Sequence, residues 1–195
     1  MSRVLIACEY SARVRDAFRA KGHDAWSVDL EPSEGDEIWH YQDDVFAVAS
    51  EWRWDLMVAF PPCQYLTNAG ARWWPQTTVQ REAALDFVRG LMALPIDRIA
   101  IENPVGAIGT QIRKADQYVQ PWHFGEPFQK TTGLWLKNLP KLVPAVTEKP
   151  ANLTAYIDNR PRTAGSLSGA GGVRKSKDRS RTFQGIANAM ADQWG

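Results

Sequence analysis

At 195 residues and a formal net charge of +1, the chain is long enough for one sizeable core and carries no global drive toward nucleic acid, so any basic surface must be local. Apolar residues make up 44% and charged residues 23%, the balance of a soluble globular domain, and no apolar stretch approaches the roughly 20 residues that a membrane span needs. Two cysteines, Cys8 and Cys63, with three scattered histidines and no paired Cys spacing, argue against a metal site and fit a reducing cytoplasm.

The opening segment, Met1 to Ile6, reads as a strand and not as a signal peptide. Val4 to Cys8 is a continuous apolar run, as expected of a central parallel strand. Glu9-Tyr10-Ser11 turns into a helix with Ser11 as its expected N-cap and Val14, Ala17 and Phe18 at helical spacing. Lys21 to Asp24 ends that helix, and Ala25 to Val28 is a second strand with Asp29 at its carboxyl end. This opening predicts a right-handed crossover in a parallel sheet. Residues 31 to 37 form a polar loop; Ile38 to Tyr41 reads as a short edge strand leading to Asp43-Asp44-Val45.

The run Asp55 to Phe60 is a buried strand ending in Pro61-Pro62-Cys63-Gln64. Ligands of open α/β sheets bind outside the carboxyl ends of the strands, so a thiol held there by two stiff prolines is well placed as a nucleophile. A polar and aromatic loop follows, Gln64 to Gln76, and then a helix over Thr77 to Leu94 with Ala84, Leu85, Val88, Leu91 and Met92 on its apolar face. Asp97 to Ile101 is the next strand, ending in Glu102-Asn103-Pro104. A carboxyl group beside a flat heterocycle can protonate a ring nitrogen while a nucleophile adds to the ring, so a thiol and a carboxylic acid on neighbouring loops make a specific pair.

Val105 to Lys114 reads as a short helix, and Tyr118 to Phe124 with Thr132 to Lys137 as a terminal pair of strands. Pro140 to Pro150 is connective, residues 164 to 172 are rich in Gly and Ser, and the basic run Arg174, Lys175, Lys177, Arg179 and Arg181 follows. Phe183 to Trp194 is an amphipathic helix with Ile186, Met190 and Trp194 on one face. The whole chain reads as a single domain, with residues 140 to 180 as a flexible substrate-side segment. Most of its nine tryptophans serve core or rim packing, and some are suited to stack on a flat ligand.

Taken together, these motifs resemble the C5-cytosine DNA methyltransferases, in a compact form such as phages carry. Pro61-Pro62-Cys63-Gln64 resembles the family's nucleophile loop, Glu102-Asn103-Pro104 its Glu-Asn-Val element, and the stretch from Gln184 to Met190 its carboxyl-terminal element. The resemblance implies a Rossmann-like, S-adenosylmethionine-dependent methyltransferase fold: α/β, with a mostly parallel doubly wound sheet, a terminal antiparallel strand and a minimal or absent target-recognition domain. It implies catalysis by Cys63, Glu102 and Asn103. It places S-adenosylmethionine against Cys8, Glu9, Tyr10, Ser11, Asp29, Leu30, Asp44, Val45, Phe60, Pro61 and Asn188, with the helix over 181 to 195 closing that site. Substrate contacts fall to Pro62, Gln64, Lys130, Arg174, Lys175, Lys177 and Arg179.

The chain departs from the family in two places. The first turn, Glu9-Tyr10-Ser11-Ala12-Arg13, lacks the glycines of Phe-x-Gly-x-Gly. Gln129-Lys130-Thr131-Thr132-Gly133 stands where the family has Gln-x-Arg-x-Arg, with Lys130 as the remaining charge for the target base. The implied reaction is methylation of C5 of cytosine, in double- or single-stranded DNA, with low sequence specificity, in the cytoplasm of a bacterium or phage-infected host. Two alternatives stand beside it: C5-pyrimidine modification of a nucleotide, RNA or single-stranded DNA, and a non-catalytic DNA- or partner-binding protein on a methyltransferase scaffold. Target sequence and oligomeric state are not legible.

Overall fold

The apolar runs become the centre of a sheet in a computed structural model that describes residues 1–151, 153–157, 160, 161 and 181–195. Strand β1 (Arg3–Ala7) has Val4, Leu5, Ile6 and Ala7 wholly buried, because helices cover both faces of the sheet. Beside it lie β2 (Asp24–Asp29), β3 (His40–Gln42), β4 (Leu56–Ala59) and β5 (Arg98–Pro104). Three further elements, β6 (Gln117–Val119), β7 (Phe128–Gln129) and β8 (Thr132–Lys137), follow.

The main sheet has seven strands in the order β3-β2-β1-β4-β5-β8-β6. The first five run parallel. β8 is antiparallel to both β5 and β6, so the reversed strand lies inside the sheet and not at its end as the sequence suggests. A smaller sheet joins β7 to β9 (Thr154–Ile157) and β10 (Arg160–Pro161). The chain is thus α/β, with a mostly parallel mixed sheet compatible with a Rossmann-like fold.

Side chains alternate across this sheet. Leu5, Ala7, Met57, Ala59, Ile99 and Ile101 face α2 (Val45–Glu51), α3 (Thr78–Ala93) and α4 (Ala107–Gln111). Val4, Ile6, Leu56, Val58 and Ala100 face α1 (Arg13–Ala20) and α5 (Gln184–Trp194), where Phe18, Ile186, Met190 and Trp194 fill the second core. Each such large side chain contributes roughly 1.5–3 kcal/mol on burial.

Three local expectations are corrected. Residues 45–51 form a helix that the sequence reading does not contain, capped by Asp44. The segment from Tyr118 to Phe124 is not one strand: β6 ends at Val119, and Pro121–Phe124 form a 3₁₀ turn, since Pro121 removes a ladder donor. Glu37–Trp39 is likewise 3₁₀, which delays the edge strand to His40.

Candidate active site

β4 and β5 are neighbours with Ala59 opposite Ile101, so the Pro-Pro-Cys and Glu-Asn-Pro segments leave the sheet side by side at its carboxyl edge. They are then tied together. Asn103, 1% exposed, donates from Nδ2 to the Pro61 carbonyl at 2.8 Å. Further out, the Asn68 amide donates to the Val105 carbonyl at 3.1 Å and the Ala107 amide to the Leu66 carbonyl at 2.7 Å. Gly106 makes this approach possible: a methyl group there would overlap the Leu66 carbonyl oxygen. Cys63 opens a tight turn, its carbonyl accepting from the Leu66 and Thr67 amides, both at 3.0 Å. Pro61 is buried, Pro62 exposed, and Cys63 half-buried and in no disulfide.

Strand alternation splits Glu102 from Asn103. Asn103 shares the face of Ile99 and Ile101, whereas Glu102 follows Ala100 toward the α1 and α5 side. There burial raises the Glu102 carboxyl above the ordinary glutamate range, against the opposing pull of the Lys130 ammonium and a hydrogen bond from the Thr132 side chain. Lys130 therefore acts on Glu102, as a charge close to the candidate acid. Thr132 belongs in the sequence reading only to the Gln129–Gly133 stretch and to the start of a strand, with no role of its own assigned to it.

A cavity of about 260 Å³ opens beside this pair of loops, between the ends of β1 and β2 and helices α2 and α3. It collects Cys8, Asp29, Leu30, Asp44 and Val45 from the expected cofactor residues, and Pro62 and Gln64 from the nucleophile loop. Val28, Asp43, Tyr65, Ala84 and Phe87 complete it and are missed as site residues by the sequence reading; Ala84 lies on the α3 face expected to be core. Burial raises the Asp29 carboxyl, one oxygen of which accepts from the Glu31 amide at 3.0 Å. One Asp44 oxygen accepts from the Phe46 and Ala47 amides at 2.8 and 3.1 Å, capping α2. The Cys8 thiol is pushed up to about 12, by burial first and then by Asp29 and Asp44, so it stays protonated. Of the two thiols, Cys63 is the candidate nucleophile.

The turn after β1 differs from expectation. Ser11 is not the N-cap of α1; Ala12 holds that position with φ 63° and no side-chain capping bond. The helix amides are met by Glu9 instead. Its carboxylate accepts from the Val14 amide at 2.8 Å, the Arg15 amide at 3.1 Å and the Ser11 hydroxyl at 3.1 Å. Glu9 is 4% exposed, and its burial raises its carboxyl too. Tyr10 is buried, and its carbonyl accepts from the Glu34 amide at 2.7 Å. Neither Glu9, Tyr10 nor Ser11 lines the cavity.

Other expected residues lie elsewhere. Phe60 packs into the α1–α5 core and Pro61 bonds Asn103, so neither lines the cavity. Asn188 is exposed on α5 and accepts from Gln184 Nε2 at 2.9 Å; α5 packs on the α1 face of the sheet and supplies no residue to the cavity. Arg174, Lys175, Lys177 and Arg179 lie outside the described residues, as does the stretch 164–172. Arg181 engages both Glu34 oxygens, Nε at 2.8 Å and Nη2 at 2.6 Å. No described tryptophan side chain lines the cavity; Trp54, Trp135 and Trp194 are core. Among the described residues there is no group of three or more potential metal ligands, and no helix long and apolar enough to cross a membrane. Compared with protein-family models and with curated proteins, the chain matches none.

Proposed function

We propose that this chain transfers a methyl group to C5 of cytosine in DNA through a covalent adduct of Cys63. The observation that carries the reading is the tie between Asn103 and Pro61, at 2.8 Å, which fixes a cysteine loop beside the strand end that carries the half-buried acid Glu102. An α/β sheet whose parallel strands are followed by an antiparallel β8 supports a methyltransferase-like scaffold.

The cavity suits the nucleoside part of S-adenosylmethionine. Leu30, Val45 and Phe87 offer apolar walls to a purine, Asp44 an acceptor for an exocyclic amine, and Asp29 an acceptor for ribose hydroxyls. When bound, S-adenosylmethionine supplies the methyl group that C5 takes.

The chain's own residues prepare the base. Cys63 Sγ, as thiolate, adds to C6 while Glu102 delivers its proton to N3, so negative charge does not build up on the ring. The raised Glu102 carboxyl keeps that proton at a pH where an ordinary glutamate has lost it. Lys130, near Glu102, favours the carboxylate left after transfer. Loss of the C5 proton to solvent then restores the C5–C6 double bond and expels the Cys63 thiolate, and N3 returns its proton to the Glu102 carboxylate. A cytosine within a duplex reaches this site only when flipped out.

The test is mass spectrometry of nucleosides from double- and single-stranded DNA incubated with the protein and S-adenosylmethionine, with Cys63→Ala in parallel. The expected result is 5-methylcytosine from the wild type alone. Product from both proteins removes Cys63 from the mechanism. No product on DNA, with product on RNA or free nucleotides, replaces DNA as the substrate.

A further inference from the structure

The charged side chains around the cavity are of one sign. Asp29, Asp43 and Asp44 bring three carboxyl groups to its wall, and no Lys, Arg or His lines it among the described residues. A nucleotide phosphate entering such a site meets only like charge.

Two helix N-termini bring positive backbone potential to this edge of the sheet: that of α2, which Asp44 caps, and that of α1, which follows the central strand β1. Glu9 fills the latter. Cys8 and Ala12, at φ 58° and φ 63°, turn the chain so that Glu9, which lies between them, folds its carboxylate forward onto the amides of Val14 and Arg15. The chain supplies its own anion where a bound phosphate would otherwise find donors.

The order of the strands sets the direction of approach. β2 lies between β3 and β1. A nucleoside with its base at Asp44 and its ribose at Asp29, at the end of β2, directs its 5′ substituent toward β1, whose following residue Cys8 forms part of the cavity wall. The 5′ substituent therefore approaches the turn that Glu9 occupies.

We infer that Glu9 is a specificity-determining residue: as a built-in carboxylate ligand of α1 it closes the cavity to nucleoside phosphates and leaves it to adenosine derivatives whose 5′ substituent is neutral or cationic. This rests on the adenosine reading of the cavity given above. It also accounts for the glycine-free turn, because a chain that places no ligand anion against these amides needs no close backbone approach to one.

The experiment is isothermal titration of the full chain with adenosine and with 5′-AMP, for wild type, Glu9→Ala and Glu9→Gln. Wild type is expected to bind adenosine about tenfold or more tighter than 5′-AMP. Glu9→Ala opens the helix amides and is expected to shift that ratio about tenfold toward 5′-AMP. Glu9→Gln keeps the side chain's shape, removes its charge, and is expected to shift the ratio in the same direction by less. Should the alanine variant lose its native circular dichroism, the glutamine variant decides. Equal wild-type affinities, or a ratio that neither folded variant moves while adenosine still binds, overturn the role of Glu9 and leave the adenosine reading standing. Binding of neither compound to wild type overturns both.

Discussion

Beyond β4 and β5 the loops are joined by main chain and one carboxamide; beyond β1, β2 and β3 main chain again joins the loops, through the Glu34 amide to the Tyr10 carbonyl and the Asp43 amide to the Asp29 carbonyl, but carboxylates hold each turn onto its own segment. In the first region Asn103, Gly106 and three backbone partners hold the geometry, and neither Cys63 nor Glu102 is needed for that tie. In the second, Glu9 caps α1, Asp44 caps α2 and Asp29 accepts from its own loop, so the groups expected to meet a ligand also build the walls. The difference teaches where substitutions separate function from folding. A change of the Cys63 or Glu102 side chain tests chemistry, whereas a change of Glu9 or Asp44 disturbs a helix end as well, at about 1 kcal/mol for a lost cap.

The sharpest test of this contrast is Cys63→Ala, expected to lower product formation on the order of 10⁴-fold or more with thermal stability nearly unchanged. A large loss of stability would break the comparison. Glu102→Gln comes next, with a fall of roughly 10²–10⁴-fold, the range for a general acid. It also carries a stability signature. Because burial raises Glu102, its contribution is full below the ordinary glutamate range and is lost as pH rises through the raised value. Thermal melts should therefore show Glu102→Gln gaining on wild type between acidic and neutral pH, and pH–rate profiles should show the alkaline limb of the wild type absent from the variant.

Gly106→Ala acts on the tie itself. Overlap with the Leu66 carbonyl is expected to cost about 2 kcal/mol, a drop of roughly 4–8 °C in Tm, together with lost activity. An unchanged melting temperature would show that the two loops separate easily. The smallest expected effect is that of Arg181→Ala, about 0.5 kcal/mol, fading in high salt because the Arg181–Glu34 pair is partly exposed. Denaturant titrations at two salt concentrations would measure it.

What the sequence reveals follows the range of the interactions. β1, β4, β5, α3 and α5 are written in contiguous apolar runs or helical spacing, and the adjacency of the Pro-Pro-Cys and Glu-Asn-Pro segments follows from two strand ends in a parallel sheet. Helix α2 has a local signal, an Asp before Val45, Val48 and Ala49, which a reading of Asp44 as a ligand conceals. The capping by Glu9 was not legible: it depends on left-handed conformations at Cys8 and Ala12, residue types that give no notice of them. The Arg181–Glu34 clasp spans 147 positions, and the place of β8 inside the sheet depends on pairing that no short window contains.

The main sheet ends on one side in β3 and on the other in β6, each only three residues long. A strand with an open row of amides and carbonyls is a template for another chain, and its reach grows with its length. All the long, apolar strands here are interior and paired on both sides. Two molecules meeting edge to edge can form only a few intermolecular ladder bonds at either end of this sheet. Its ends therefore offer little purchase for fibrous self-association at high concentration, despite interior strands of nearly continuous apolar sequence.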